Sequence, residues 1–340
     1  MELKFEQMKE LVTGAVYMEE EDGFLRMHRF TKEQEEMYRE LTWDFFYKTP
    51  ATAGIKLCFH TDSEHLGLKV KTFKASMRSY FSVDVLVNGE RIGNIDNFSD
   101  RTLPQDYTQE EFAFGEYEMM FSLGEGVKQV CVHLPWSVAT LLAPMIVDDG
   151  AFVRAVKPAK KMLVFGDSIT HGYDALRPSN RYVAKLAGKL DAEEYCKAIG
   201  GEGFCPYLLQ WKESFDPDYI LVAYGTNDWN KIGKEQFLSL CREFYATLNQ
   251  YYPNAVIFAM TPIWRKDMHE DRAFGPFEQV EEAIRECVKD LANVKVISGM
   301  DFVPHDENYY ADLRLHPNDK GFACYFEALY KRIKEEIKEP

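Results

Sequence analysis

The sequence contains no apolar stretch approaching the length of a bilayer span, so no membrane-crossing helix is expected. Its first residues, Met1-Glu2-Leu3-Lys4-Phe5-Glu6, lack the basic and then apolar regions of a secretory signal. Read as it stands, the chain is expected to be cytoplasmic. Positive charge is in deficit: 40 Lys and Arg against 55 Asp and Glu give a formal net charge of −15. Such a balance argues against nucleic acid and against anionic lipid as partners, since both need a basic face. Cysteine is sparse and scattered. Cys58, Cys131, Cys196, Cys205, Cys241, Cys287 and Cys324 form no Cys-x-x-Cys pair. Neither a disulfide framework nor a structural zinc site is expected, and most of these thiols read as small buried hydrophobes.

Several motifs are also missing. Gly200-Gly201-Glu202-Gly203 is not a dinucleotide fingerprint, and no Gly-Lys-Ser/Thr phosphate loop occurs. There is no His-Glu-x-x-His, and no Gly-x-Ser-x-Gly elbow surrounds any candidate serine. What remains is ordinary globular material, 46% hydrophobic and 28% charged over 340 residues, enough for two domains or one large one.

The two halves differ in texture. Between about residues 50 and 155, short alternating runs such as Ile55–His60 and Leu66–Lys71 follow one another without a convincing long helix. Phe81–Val87 runs into Asn88-Gly89, a strong hairpin signal. These runs predict an antiparallel β-sandwich, jelly-roll-like, over residues 1–157. From Lys160 onward, apolar strands at 161–166, 194–199, 218–224, 255–260 and 294–297 alternate with helical patterns near 180–190, 234–251, 276–292 and 318–337. Strand–helix alternation predicts an α/β fold, a doubly wound parallel sheet, over residues 158–340. The hinge is expected at Val156-Lys157-Pro158-Ala159-Lys160.

Four blocks in the second half could carry chemistry. Phe165-Gly166-Asp167-Ser168-Ile169-Thr170-His171 ends a strand and opens a helix, which places Ser168 at the carboxyl edge of the sheet. Ser168 alone could be a helix cap. It is followed, in order, by Ile199-Gly200-Gly201-Glu202, Gly225-Thr226-Asn227-Asp228 and His316-Pro317-Asn318-Asp319. A serine needs a base to take its proton, and His316, stiffened by Pro317 before the last helix, is the candidate. Gly201 allows close backbone approach to a ligand. Asn227 follows the strand Tyr219–Tyr224 toward the same edge. Asp167 and Asp228 are read as loop-holding groups.

In this order the blocks resemble the SGNH (GDSL-type) hydrolases, a family of serine esterases and deacetylases. The resemblance covers roughly residues 160–335. It implies a flavodoxin-like sheet, Ser168 as nucleophile and His316 as base. It also implies an oxyanion hole from the N–H groups of Ser168 and Gly201 and the amide of Asn227, with no metal and no cofactor. The family's last block is Asp-x-x-His. Here Asp312 lies four residues before His316, and the position three before is Leu313. Three options therefore stay open for the group behind His316: Asp312 through a kinked loop, another carboxylate such as Asp301 or Asp306, or a backbone carbonyl. Asp312 is the favoured one.

A sandwich ahead of such a domain resembles the carbohydrate esterases that remove O-acetyl groups from plant polysaccharides. This implies an acetylated oligosaccharide of xylan or mannan type as substrate, with Trp229 and Trp264 as candidate stacking platforms. Arg265 is read as a substrate contact or, more readily, a solvated loop charge. The sandwich is left with three roles: binding glycan, walling the active site, or joining copies of the chain into a homo-oligomer. The alternatives are a lipase or thioesterase acting on longer acyl esters, and a non-catalytic glycan-binding protein with a degenerate hydrolase domain.

Overall fold

A computed structural model describes residues 1–337. Two antiparallel sheets are built from the first half. One runs in the order Val12–Thr13, Lys56–Thr61, Lys128–His133, Ser82–Val87, Glu90–Asp96, with Val153–Ala155 also on Lys56–Thr61. The other runs Ile146–Val147, His65–Lys74, Val138–Leu142, Phe24–His28, Tyr17–Glu21, with Glu116–Ser122 on His65–Lys74. Alternation buries Leu57, Phe59, Val83, Val85, Val130 and Val132 from the first sheet against Leu25, Leu66, Leu68 and Val70 from the second. This is the sandwich the alternating runs predict. The Asn88-Gly89 hairpin forms: Val87 pairs with Glu90, and both turn residues have positive φ, +50° and +88°, as a two-residue primed turn requires.

Two features of this half were not legible. The sandwich takes in strands from residues 12–28, upstream of the expected β-rich region. The segment that follows is helical, at Lys32–Leu41 and Trp43–Phe46. It bridges the two halves: Glu35 meets Tyr17 and His28 of the sandwich, while Phe30 and Tyr38 share a buried cluster with Phe204, Tyr224 and Trp229 of the second half. Cysteine also departs from expectation. Cys58 and Cys131 are joined in a disulfide, while the other five are free. They are 73 residues apart in sequence, but strand register sets them directly opposite, Cα to Cα 4.3 Å. Only the pairing of strands Lys56–Thr61 and Lys128–His133 brings them together.

The second half carries a five-stranded parallel sheet in the order Ala192–Cys196, Lys160–Gly166, Tyr219–Ala223, Val256–Met260, Val294–Ile297. That is the 2-1-3-4-5 flavodoxin-like arrangement. Both faces are covered. Leu163, Phe165, Ile220, Val222 and Ile257 enter one buried cluster, while Met162, Val164, Tyr219, Leu221 and Phe258 enter the other. Strands buried on two sides read as continuous apolar runs. The helices Tyr182–Lys189, Lys234–Tyr251, Gln279–Val288 and Asp319–Ile337 lie where their patterns predict them.

Buried polar contacts stitch the halves. The Arg29 guanidinium, 1% exposed, donates to the carbonyls of Lys48, Ala51, Cys196 and Ala198. Arg177 pairs with Asp96, and Ser179 donates to Asp84. Of these, three donors on two carbonyls and two carboxylates cross between the halves and fix the sandwich against the carboxyl edge of the parallel sheet.

Candidate active site

The strand Lys160–Gly166 sits next to the edge of the sheet, with the strand order reversing on either side of it. Ligands in such sheets bind outside the carboxyl ends at that point. Asp167 caps the helix Ser168–His171, its Oδ1 accepting the Ile169 N–H at 2.9 Å. Ser168 is the first residue of that helix, so its N–H has no intrahelical acceptor. Ser168 Oγ lies 2.8 Å from His316 Nε2, and His316 Nδ1 lies 2.8 Å from Asp312 Oδ2.

The extra residue between Asp312 and His316 is absorbed by the backbone. Tyr310 bridges Pro317, and the Ala311 N–H donates to the His316 carbonyl at 2.8 Å, closing a tight loop. At its apex Leu313 takes the left-handed conformation, φ +55°, which is uncommon for a branched side chain and is met mostly at functional sites. Asp312 Oδ1 accepts the N–H groups of Arg314, Leu315 and His316, at 3.0, 2.7 and 3.0 Å, which leaves Oδ2 for the imidazole. Burial pushes the Asp312 carboxyl up. The imidazole of His316 and the N–H groups of Leu315 and His316 outweigh this and hold it well below the usual range. Asp301 and Asp306 do not approach Nδ1; Asp301 faces His305, and Asp306 caps the turn at Asn308.

Gly201 and Asn227 line the same cavity as Ser168. Ile199–Glu202 is a turn closed by the Glu202 N–H on the Ile199 carbonyl. Within it Gly201 has φ +92°, a conformation side chains rarely adopt. Asn227, second residue of the helix Thr226–Lys231, donates one amide hydrogen to the Glu202 carbonyl at 2.9 Å and keeps the other. Asp228 locks both loops by accepting the N–H groups of Phe204 and Gly225. It lies where a Cβ on Gly203 would sit, 2.4 Å away, so only glycine fits there. Burial raises the Asp228 carboxyl to about 6 and that of Asp167 to about 7, against the N–H groups that hold them down.

Several site residues escaped sequence reasoning. The buried Glu202 carboxyl accepts from Tyr38 and Tyr224, at 2.6 and 2.8 Å, and burial pushes it up to about 8. His171, fully buried, accepts the Gly200 N–H at 3.3 Å and so orients the residue before Gly201. Asp174, 0% exposed and at φ +73°, places Oδ2 3.5 Å from His316 Nδ1. It is held by the sandwich half: Arg78 donates from Nε and Nη2, at 2.7 and 3.0 Å, and the Tyr80 hydroxyl donates to Oδ1. Tyr107 donates to the Asp174 carbonyl and Trp136 to that of Ala175. Asp174, Asp312 and His316 present donor atoms within 4.8 Å of one another. With a guanidinium already seated on Asp174, this grouping suits a protonated imidazole better than a metal cation.

Ser168, His316, Gly201 and Asn227 line one open cavity of about 530 Å³, together with Lys48, Met77, Arg78, Tyr173, Arg265 and Arg314 among others. A larger cleft of about 640 Å³ between the halves, lined by Lys56, Arg91, Lys185 and Lys189 among others, contains neither Ser168 nor His316. The tryptophans are not in the site as expected. Trp229 is 0% exposed, donates its indole N–H to the Gly275 carbonyl and packs on Phe277. The guanidinium groups of Arg265 and Arg272 lie over its ring at 4.9 and 5.3 Å, so it stacks on arginine and not on a sugar. Trp264 stacks on His305 and packs against Tyr310, outside the cavity lining. Arg265 is not solvated either. It is 3% exposed, paired bidentately with Asp267, and donates to the Thr226 carbonyl.

Residues 164–324 match the model of the GDSL-like Lipase/Acylhydrolase family. No curated protein sequence matches the chain. Among solved structures, similarity spans both halves. A salicylyl-acyltransferase from a tetracycline biosynthetic pathway aligns with TM-score 0.78 at 20% identity, over 97% of this chain and 95% of that one. An acetyl xylan esterase from the rumen bacterium Butyrivibrio proteoclasticus aligns with TM-score 0.61 at 16% identity, over 96% of each. A family two carbohydrate esterase from Clostridium thermocellum, in complex with cellohexaose, aligns with TM-score 0.62 at 16% identity, over 84% of this chain and 94% of that one. At such identities these likenesses speak for the fold. The family match identifies residues 164–324 as a GDSL/SGNH lipase–acylhydrolase domain, and the chain that carries it as a carboxylic ester hydrolase.

Proposed function

We propose that the chain removes O-acetyl groups from carbohydrate, on oligosaccharides of acetylated xylan or mannan type, through an acetyl-serine intermediate. The observation that carries this reading is the unbroken relay from Asp312 through His316 to Ser168, 2.8 Å at each step, opening on a cavity that Gly201 and Asn227 also line. His316 takes the Ser168 proton as Oγ attacks the acetyl carbonyl. Asp312 holds the Nδ1–H tautomer and stabilises the imidazolium, the orienter's task in such triads. The N–H groups of Ser168 and Gly201 and the free amide hydrogen of Asn227 receive the oxyanion. His316 then protonates the departing sugar alcohol, and water cleaves the acetyl-enzyme by the same route.

The cavity supports a short acyl group and a hydroxyl-rich alcohol. Its apolar lining is limited to Met77, Tyr173 and Leu315 beside Lys, Arg, Asn and Asp side chains. A long acyl chain would need an apolar trough. The structural likeness to an acetyl xylan esterase and to a cellohexaose-bound carbohydrate esterase fits the sugar half of the reading. The test has two parts. Among acetyl, butyryl and octanoyl p-nitrophenyl esters, acetyl should turn over fastest; faster octanoyl turnover would overturn the reading in favour of a lipase. Acetylated xylo- and manno-oligosaccharides should each lose 42 mass units per acetyl group removed, roughly one ketene unit, and Ser168→Ala should abolish that loss.

A further inference from the structure

We infer that the alcohol half of the substrate carries an anionic group, a carboxylate in the first instance, bound by an arginine cluster beside Ser168. The inference rests on the proposed acetyl chemistry in one respect: an acetyl group has no charge, so the anion must belong to the leaving alcohol.

The observation is a reversal of charge. The whole chain has 15 more acidic than basic residues. Yet the cavity that holds Ser168 and His316 is lined by Lys48, Arg78, Arg265, Arg272 and Arg314, with Asp267 as its single lining carboxylate. Not all of this charge is spent internally. Arg265 is: its three donor nitrogens go to Asp267 and Thr226. Its place is structural, and with Asp267 it anchors the group. Arg78 uses Nε and Nη2 on Asp174, and among the described residues Nη1 has no partner. Arg272 donates from Nη2 to Glu270; its Nε is buried, and among the described residues Nη1 has no partner. Arg314 has only Asp267, at 3.6 Å and already shared with Arg265, and stays half exposed.

Three guanidinium groups with unused donors thus face one cavity from three elements: the sandwich (Arg78), the loop after the strand Val256–Met260 (Arg272) and the loop bearing Asp312 (Arg314). Packing holds the second of them, since Trp229 lies beneath Arg272. Pre-positioned guanidinium forks match a carboxylate bidentately, and holding them before the ligand arrives reduces the ordering cost of binding. On the proposed oligosaccharide the anion would belong to a carboxylate-bearing sugar unit, which these donors would seat; the neutral units would occupy the rest of the cavity.

The probes are 4-acetoxybenzoate and its neutral isostere 4-acetoxybenzamide. With active protein, kcat/KM should favour the carboxylate by at least about tenfold at low ionic strength, although the amide has the more activated leaving group. The preference should shrink with added salt, and Arg272→Gln with Arg314→Gln should bring the ratio toward one. A ratio of one or less in the unmodified protein overturns the inference. Calorimetry on the Ser168→Ala protein separates this from the hydrolase reading. The carboxylate should bind at least about tenfold more tightly than the amide whether or not either ester is turned over, and equal affinities overturn the anion site alone. Absence of turnover for both esters, with tight carboxylate binding, would overturn the esterase and leave the anion site standing.

Discussion

The parallel-sheet half and the sandwich half meet at one site but contribute to it in different ways. The first supplies every group in the proton relay: Ser168, His316 and Asp312, with Gly201 and Asn227 opposite. Ser168, Gly201, Asn227 and His316 each stand where a strand ends or a helix begins, so their places follow from chain-local geometry. The second supplies no reacting group. Instead it sends Arg78 and Tyr80 onto Asp174 and Lys48 onto the Gly200 carbonyl. Burial pushes the Lys48 ammonium down, against the pull of Asp44. Burial lowers the Arg78 guanidinium too, yet its carboxylate partner more than offsets this and raises it. One half thus holds every group that the proposed acyl transfer uses, while the other positions the imidazole's surroundings and closes the cavity wall. A sandwich in this arrangement is part of the site and not an appendage to it.

The largest expected effect keeps to the hydrolase half. Asp312→Asn removes the acceptor for the Nδ1–H and favours the wrong tautomer, so kcat should fall by roughly 10³–10⁴-fold. A loss below about tenfold in a kcat measurement would mean that Asp174, at 3.5 Å, carries the task alone. The next crosses the divide. Arg78→Met leaves the fully buried Asp174 without its cation, which should cost about 3 kcal/mol in urea unfolding. It should also lower kcat by around tenfold through His316, and Asp174→Asn in the same background should restore part of the stability. Unchanged stability and kcat would make the sandwich a separable module. The smallest is a pH effect. Burial holds the Asp167 carboxyl at about 7, against 3.8 when unperturbed. Between these values the folded chain keeps a proton that the unfolded chain releases. Stability therefore falls as pH climbs from about 4 to about 7 and then levels. Asp167→Asn keeps an oxygen for the Ile169 N–H and cannot ionise. Its stability relative to wild type should rise over that interval by roughly 1 kcal/mol per pH unit. Urea titrations at pH 5 and pH 8 would show it, and a constant difference would refute it.

Legibility followed the same divide. The five parallel strands and four long helices of the second half were readable because each element announces itself within ten to twenty residues, by an apolar run or a helical period. Ser168, Gly201, Asn227 and His316 were readable because each lies in a short block at an element's end. The tryptophans failed for a related reason. Sequence places Trp229 and Trp264 at the correct edge of the sheet but does not say which way a ring turns, and Trp229 turned inward under two arginines. The helix at Lys32–Leu41 went unread, as did its docking on the other half through Tyr38 and Glu202.

By itself the sequence determined the strand–helix order of residues 160–337, the alternating character of the sandwich strands, the Asn88-Gly89 turn and the identity of the serine–histidine pair. All of these depend on neighbours in the chain. Only the tertiary structure decided that Asp312 reaches His316, because the displaced residue is absorbed by a left-handed Leu313 within a closed loop. It alone brought Cys58 to Cys131, and set Arg78 and Tyr80 on Asp174 from 96 and 94 residues away. The last two sets of contacts are fixed by strand register and by the packing of two layers, which depend on pairings between distant segments and leave no mark at any single position.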